Sequence, residues 1–213
     1  WVRFRGILSR SSGVADLEKL AVTAQLEFRE PTYTLEGKGS IAARLTVEEV
    51  DSGQTQEWTV HFWQEQGGAA FQLSDEYGNL LLDTASNESG IPLVPVPPEP
   101  FDSSVTQYAI MWGGHTSGPI ATGERRIEVG EFDTVATTKW QFEAYPISLL
   151  DEYTFLVTYD EFKRDQRVIN DQRLWISQAK GLVKVQVTQH VFNENGRLAA
   201  TEVLDLEFVR ASF

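Results

Sequence analysis

Short segments in which apolar and polar residues alternate dominate the chain. In "EWTVHFWQEQ" (57–66), Trp58, Val60 and Phe62 occupy every second position, which is the period-two pattern of a β-strand. Turn-forming segments separate such runs. These segments are "DSGQ" (51–54), "DEYGN" (75–79) and "NENG" (193–196). The pattern predicts a mainly β fold.

Two segments leave room for a helix. The stretch "GVADLEKLAVTAQL" (13–26) has one weak helical face, although it can equally lead into a strand at "LAVTAQLEF" (20–28). The stretch "PISLLDEYTF" (146–155) has room for a single helical turn. The residues of the weak helical face are Leu17, Leu20, Ala21 and Ala24. We therefore expect at most one or two short helices.

A proline-rich segment, "TASNESGIPLVPVPPEPFDSS" (84–104), interrupts the strand pattern. Its prolines remove backbone donors, so a central strand cannot run through it. We interpret residues 1–213 as a single β domain in which 84–104 is a crossover. The alternative is two subdomains, 1–90 and 101–213, but each would be a small sheet with exposed edges.

The sequence predicts the register of a closing hairpin. Asn195-Gly196 is the favoured pair for a two-residue type I′ turn, which pairs Glu194 with Arg197. One apolar face and one polar face then emerge from the same register. The apolar pairs are Val183–Phe208, Val185–Leu206 and Val187–Leu204, and the polar pairs are Lys184–Glu207 and Gln186–Asp205. Gly181, in turn, is predicted to be a bulge or a tight entry into the strand.

Composition narrows the function classes. Of 213 residues, 41% are hydrophobic, which suffices for a core, and no apolar run has the length of a transmembrane helix. The net charge of −13 argues against nucleic-acid binding. The chain has no cysteine, which excludes disulfides and thiol chemistry. Its single methionine is Met111, so we expect that a leader was removed or that the chain was trimmed.

No motif predicts catalysis, a metal or a cofactor. His61, His115 and His190 do not have metal-ligand spacing, and the loop "GGHTSG" (113–118) lacks the phosphate-loop pattern. Carboxylate pairs flank the aromatic strand "YTFLVTY" (153–159), and we interpret them as solvated strand ends. The pairs are Asp151-Glu152 and Asp160-Glu161. Two carboxylates across a groove could instead hydrolyse a glycoside. We predict a protein that is not an enzyme.

Aromatic residues are the strongest candidates for a binding site. Tyr153, Phe155 and Tyr159 share one face of their predicted strand, and Trp140 and Trp175 add large aromatic surfaces. A concave sheet lined in this way could hold a hydrophobic ligand. The competing interpretation is that these side chains fill the core.

The second half of the chain resembles exported bacterial domains of the half-barrel lipoprotein type. The likeness, over roughly 101–213, begins in "IEVGEF" (127–132), continues through "DTVATTKWQFEA" (133–144), and returns in "RLWISQAKGLVKVQVTQ" (173–189). Its residues are Gly130, Phe132, Trp175, Gly181, Leu182, Val183 and Lys184. This resemblance implies export.

The stretch around 173–185 also resembles the lipocalin-like phycobiliprotein bilin lyases. Arg173, Leu174, Trp175 and Leu182 match an Arg-Leu-Trp-Phe and Asn-Leu-Arg-Leu-Arg pattern. The departures are Ile176 for Phe, Gly181 for Asn, and Val183-Lys184-Val185 for Arg-Leu-Arg. This resemblance implies a bilin ligand and the cytoplasm of a phototroph. Both resemblances imply an antiparallel sheet curved into a half-barrel or open barrel around a cavity.

These inferences lead to a first hypothesis and three alternatives. The first is a non-catalytic, exported bacterial β domain, periplasmic, outer-membrane-anchored or secreted, that binds a lipid or another hydrophobic ligand, or an envelope protein partner, on its concave face. The alternatives are a structural or assembly protein, a bilin-binding protein or lyase, and a carbohydrate-binding or glycan-active protein.

Overall fold

The computed structural model describes residues 1–13, 18–33, 39–65, 68–74, 91–94, 99–110, 118–158 and 163–211, and these form thirteen β-strands and their connections. Within these ranges, no helix has the length and apolar character needed to span a membrane. The strands are β1 (Val2–Ser12), β2 (Glu18–Tyr33), β3 (Gly39–Glu49), β4 (Thr55–Glu65), β5 (Gly68–Ser74), β6 (Ile91–Val94), β7 (Ser103–Ile110), β8 (Ala121–Val129), β9 (Asp133–Ala136), β10 (Gln141–Phe155), β11 (Arg167–Ser177), β12 (Gly181–Phe192) and β13 (Leu198–Ala211).

All strands belong to one antiparallel sheet. Its order is β6-β5-β4-β3-β2-β1-β13-β12-β11-β10-β8-β7, and β9 pairs with the first residues of β10. The pairing of β1 with β13 joins the N-terminal strands to the C-terminal ones. Among the described strands, β6 and β7 are the two edges, and Pro92 lies in the edge strand β6. The mainly β, antiparallel fold is confirmed.

The chain connectivity requires the sheet to curl. A flat sheet would separate β6 from β7 by roughly 53 Å, because eleven spacings of about 4.8 Å lie between them. Yet only nine residue steps lead from Val94 to Ser103, and they span at most about 32 Å. The two edges therefore approach each other, and the sheet is a curved, open one, as predicted.

The two faces of the sheet differ in polarity. On one face, which we call the apolar face, buried side chains form contiguous clusters across the strands. The opposite face, the polar face, carries alternating charged and amide residues. The clusters on the apolar face include Phe4, Leu8, Val22, Ala24, Ile127, Val129, Ile147, Leu149, Leu174 and Leu206. Because burial concentrates on the apolar face, we infer that the sheet curls towards it and that this face is the concave one.

Both segments that left room for a helix contain strands in the structure, within the expected limit of at most one or two short helices. Residues 18–26 belong to strand β2, and 146–155 belong to strand β10. In β2, Leu20, Val22 and Ala24 occupy every second position and lie on the apolar face. Burial of these side chains against the neighbouring strands stabilises the strand more than the weak apolar face would stabilise a helix. Leu17 and the turn predicted at 75–79 lie outside the described residues. In strand β4, the side chains of Trp58, Val60 and Phe62 also lie outside them.

The closing hairpin has the predicted register but a different turn. Lys184 pairs with Glu207, and the pairs Val185–Leu206, Gln186–Asp205 and Val187–Leu204 follow, whereas the predicted pair Val183–Phe208 is not part of this ladder. The predicted type I′ turn is wrong, because Gly196 has a positive φ of 72° and Asn195 does not. Instead, Gly196 N–H donates to the Asn193 carbonyl, and the Asn193 side chain accepts from Asn195 and Arg197. A bulge between Val191 and Phe192 absorbs the extra turn residue and restores the register.

The N-terminal end of β12 is irregular, as the sequence suggested. Gly181 has a positive φ of 72°, and the register of β12 against β11 shifts next to Trp175. Val183 is fully buried at this shift, in a cluster with Val135 and Ala144 of the β9–β10 hairpin. The bulge therefore directs Val183 into the contact that holds the hairpin against the central strands.

Glu207 of β13 fixes the turn of the same hairpin. The hydroxyl of Thr138 donates to Glu207 Oε2 at 2.6 Å, and the Thr138 N–H donates at 2.7 Å. Lys184 Nζ lies 3.7 Å from Glu207 Oε1. Partial burial opposes ionisation of Glu207, but the Thr138 hydrogen bonds and the charges of Lys184 and Arg5 outweigh it and lower the pKa of this carboxyl.

Glu207→Gln should weaken the fold at neutral pH and reduce its acid sensitivity. The pKa is lower in the folded state, so ionised Glu207 stabilises the fold above its ordinary value of 4.5, and this contribution is lost as the pH falls through the folded-state pKa. We expect a loss of about 1 kcal/mol at pH 7, which shrinks below pH 4.5. Urea unfolding from pH 3 to 7 measures it. Glu128→Gln, at an exposed carboxyl of β8, is the matched control; equal pH profiles would contradict the assignment.

Candidate functional site

A row of polar residues crosses the apolar face. Each member pairs directly with the next across neighbouring strands, so the row follows from the register alone. In order from β7 to β2 it comprises Thr106, Arg125, Asp151, Asn170, Gln189, Glu202, Arg10 and Glu18. We call this set the polar row. Apolar residues flank it along most of the strands, with Gln172 next to Asn170 as an exception, so it is the main polar feature of the concave face.

The buried end of the row is an ion pair. The Arg125 guanidinium donates two hydrogen bonds, from Nε and Nη2, to the two carboxylate oxygens of Asp151. The exposed fraction of the two side chains is only 5% and 4%. Gln172 Nε2 donates to Asp151 Oδ2 at 2.9 Å. This corrects the interpretation of Asp151 as a solvated strand end, because Asp151 continues the inward alternation of Ile147 and Leu149.

Two tyrosines border this ion pair. Burial raises the pKa of Tyr108 well above its ordinary value, and the Asp151 carboxylate raises it further. Burial also raises the pKa of Tyr153 to about 12, although a hydrogen bond with Asn170 lowers it in part. Gly123 lies between the two rings in the register, and a Cβ there would lie 3.0 Å from Tyr108 Cζ. Both phenols therefore stay protonated at neutral pH, beside an ionised pair.

The row becomes more exposed towards β1. Gln189 Nε2 donates to Asn170 Oδ1 at 2.8 Å, and both side chains are half-buried. At the far end, Arg10 Nε contacts Glu202 Oε1 at 3.1 Å, and Arg10 Nη1 contacts Glu49 Oε1 at 3.1 Å. The row thus offers neutral amides at its centre, between a buried ion pair and a solvent-accessible one.

Tyr153 and Phe155, both predicted binding residues, lie together beside the row. Their ring centroids are 5.7 Å apart, and Tyr108 lies 6.5 Å from Tyr153. Tyr108 is buried, whereas Tyr153 and Phe155 keep part of their surface exposed. They pack with Ile110, Ile120, Ala121 and Val157. We call this group the aromatic cluster, and its half-buried members give the concave face an apolar contact surface next to polar groups.

The remaining predicted residues lie elsewhere. Trp175 pairs with Pro146, which is seven residue steps or roughly 23 Å along β10 from Tyr153. Its ring lies 5.1 Å from Arg173 Cζ and 5.6 Å from Lys184 Nζ, and it packs beneath the β9–β10 hairpin. Trp140 lies in the hairpin turn and is 54% exposed. Tyr159 lies outside the described residues. The five aromatics therefore do not form one site.

Other candidates from the sequence contribute little chemistry. His190 contacts the Thr201 hydroxyl at 3.1 Å and lies near Phe192. The side chain of His61 and the loop that holds His115 fall outside the described residues. Within the part of the chain that the structure describes, no three His, Asp or Glu residues are grouped as metal ligands.

Together, these features define an open, curled antiparallel β protein whose concave face combines an aromatic cluster with a polar row. No known protein family matches the sequence, and no curated protein matches it. Among solved structures, it aligns with a candidate exported protein with a YmcC-like fold from Bacteroides fragilis. The alignment covers 94% of this chain and 93% of the other, at 12% identity and a TM-score of 0.32. A likeness of this strength supports no inference about function.

Proposed function

We propose that the protein is a non-catalytic binding domain that holds an amphiphilic ligand, such as a lipid, against its concave face. The apolar part of the ligand packs on Tyr153 and Phe155. Its polar part contacts the centre of the polar row at Asn170 and Gln189. The observation that carries this proposal is the juxtaposition of half-buried aromatic rings with half-buried amides on one concave surface.

The charges of the row favour a ligand with an uncharged polar group. Arg125 and Asp151 already neutralise each other, and Arg10 bridges Glu202 and Glu49 at the other end of the row. The amides between these pairs can both donate and accept hydrogen bonds. A neutral head group can therefore bind there without leaving a charge unpaired in a partly dry environment.

Phe155→Ala should weaken binding of a fluorescent fatty-alcohol probe, whose head group is uncharged, by about tenfold or more. The change removes an apolar contact worth roughly 1.5–3 kcal/mol when fully buried. Probe titration measures the affinity, and native mass spectrometry with solvent extraction identifies lipid that copurifies with the wild type. Trp140→Ala, in the remote hairpin turn, is the control and should leave the affinity unchanged. No copurified lipid together with no probe binding would overturn the proposal.

We also propose that the domain acts outside the cytoplasm of a bacterium. The support is the resemblance of residues 101–213 to exported half-barrel lipoprotein domains, carried by Gly130, Trp175 and Gly181 among others. Cell fractionation of the tagged natural precursor tests it. Recovery in the periplasm, the envelope or the medium supports export, and recovery in the cytoplasm contradicts it.

A further inference from the structure

A second groove lies on the opposite, polar face of the sheet. It has a volume of about 410 Å³, and its floor is formed by β1, β2 and β13. One side is bordered by Thr138 in the β9–β10 hairpin, and another by Val50, which follows β3. This groove is separated from the aromatic cluster and the polar row by the thickness of the sheet.

The floor of this groove carries an exposed aliphatic patch. Ile7 is 49% exposed, although it lies in a central strand, and Val50 is 53% exposed. Ala21 connects them, because it pairs with Ile7 and its carbonyl accepts a hydrogen bond from Val50 N–H at 2.9 Å. Exposed aliphatic side chains on an otherwise polar face indicate a contact surface.

A carboxylate with an unused acceptor adjoins the patch. Asp205 pairs directly with Ile7 and lines the groove. Its Oδ2 accepts from Gln186 Nε2 at 3.1 Å, whereas its Oδ1 is buried and has no hydrogen-bond partner among the described residues. A buried carboxylate oxygen without a donor is costly, so the site favours a ligand that supplies one. Rotation about the Cβ–Cγ bond of an aspartate has a broad energy minimum, so one carboxylate oxygen of Asp205 can turn towards the groove.

The charge of the groove indicates the sign of that ligand. Its charged lining residues are Arg5, Asp205 and Glu207, and both Arg5 and Lys184 act on Glu207, so Asp205 is the carboxylate left for a cation. Arg5 pairs with Glu207 rather than with Asp205. The distance from Asp205 to Ala21 is two strand spacings, or roughly 10 Å, which an alkyl chain of moderate length can bridge.

We propose that this groove binds an aliphatic ammonium group. The ammonium donates to Asp205, and the attached alkyl chain lies over Ile7, Ala21 and Val50. A lysine side chain of a peptide and a free alkylamine share this chemistry. The proposed site is distinct from the concave face. It binds a cation, whereas the concave face is proposed to bind a neutral amphiphile.

Calorimetric titration of the full chain with butyl-, hexyl- and octylammonium at pH 7 tests the proposal. The affinity should rise with chain length, by up to about fourfold for each methylene that is buried. Asp205→Asn should weaken octylammonium binding about tenfold, because the acceptor keeps its oxygen but loses the negative charge that attracts the ammonium. Octanoate, which has the same chain and the opposite charge, should bind much more weakly. Octanoate binding of equal strength, or an unchanged affinity of Asp205→Asn, would overturn the proposal.

Matched variants separate this site from the rest of the molecule. Glu152→Gln removes a carboxylate of the same face, on β10 away from the groove, and should not change octylammonium binding. Ile7→Ser should weaken octylammonium more than butylammonium, and it serves as the second variant if Asp205→Asn alters folding. Phe155→Ala should leave octylammonium binding intact, and Asp205→Asn should leave binding of the fatty-alcohol probe intact. The two proposed sites can therefore fail independently. A lysine-containing peptide then shows whether a protein partner can supply the ammonium.

Discussion

Asp151→Ala is expected to lower the free energy of unfolding by about 3–5 kcal/mol. The change removes the carboxylate that accepts two hydrogen bonds from the Arg125 guanidinium, where only 5% of the Arg125 side chain is exposed. It also removes the acceptor of the Gln172 side-chain amide. Urea unfolding at pH 7, followed by circular dichroism, measures the loss.

A double variant distinguishes the value of the pair from the cost of breaking it. In Arg125→Met/Asp151→Leu, no buried charge remains, and we expect a stability close to that of the wild type or above it. Glu152→Ala breaks the exposed contact with Arg167, at 2.8 Å, and should cost less than about 1 kcal/mol. If Asp151→Ala cost no more than Glu152→Ala, the assignment of Asp151 to the dry interior would be wrong.

The double variant also tests why the pair is present. An apolar pair would give the same strand register without the desolvation cost of two buried ions. The ion pair instead places a fixed dipole beside Tyr108 and Tyr153 on the concave face. If the double variant is stable but binds the fatty-alcohol probe more weakly, the ion pair positions the aromatic cluster and the polar row for binding.

The local sequence pattern was sufficient to predict the strands and the register of the closing hairpin. In the closing hairpin, the alternation of Val185 and Val187 with Lys184 and Gln186 leaves a single register that buries one face. The predicted register is correct although the predicted turn type is wrong, because a bulge next to Phe192 compensates for the longer turn. Alternation over many residues therefore constrains pairing more strongly than the chemistry of a single turn.

The polar row could not be predicted from the same information. The run "ISLLDEY" places Asp151 on the face of Ile147 and Leu149, so its inward direction was readable from the alternation. The neutralising partner, Arg125, is 26 residues away and reaches Asp151 only through the β8–β10 register. Without that register, a carboxylate near a predicted strand end is most simply interpreted as solvated.

The aromatic residues show the same division between local and long-range information. Tyr153 and Phe155 share a face because they are two positions apart in one strand. Trp140 and Trp175 belong to other elements, and their distance from Tyr153 depends on where the β9–β10 hairpin packs. The packing of this hairpin against the ends of β12 and β13 is a tertiary contact, which the alternation of apolar and polar residues along the chain does not encode.

Gly6→Ala should destabilise the protein by about 3 kcal/mol, at the upper end of the cost of overpacking. Gly6 lies in the middle of β1, opposite Leu206. A Cβ at this position would collide with the backbone oxygen of Asp205 and lie 3.0 Å from Leu206 Cα. Because the obstructing atoms belong to the backbone, no side chain can rotate away, and β1 must separate from β13.

The position of Gly6 makes this effect global rather than local. In the sheet order, the β1–β13 pairing joins the strands β1–β6 to the strands β7–β13. Its loosening should therefore lower the stability of both halves, and hydrogen exchange should accelerate in β2 and in β12 together. Gly13→Ala is the control, because a Cβ there meets nothing within 4 Å, and only its positive φ of 62° opposes the change. We expect a cost of about 1–2 kcal/mol at Gly13, with exchange affected only nearby. An equally small and local effect of Gly6→Ala would show that the two halves are not joined through this close backbone contact.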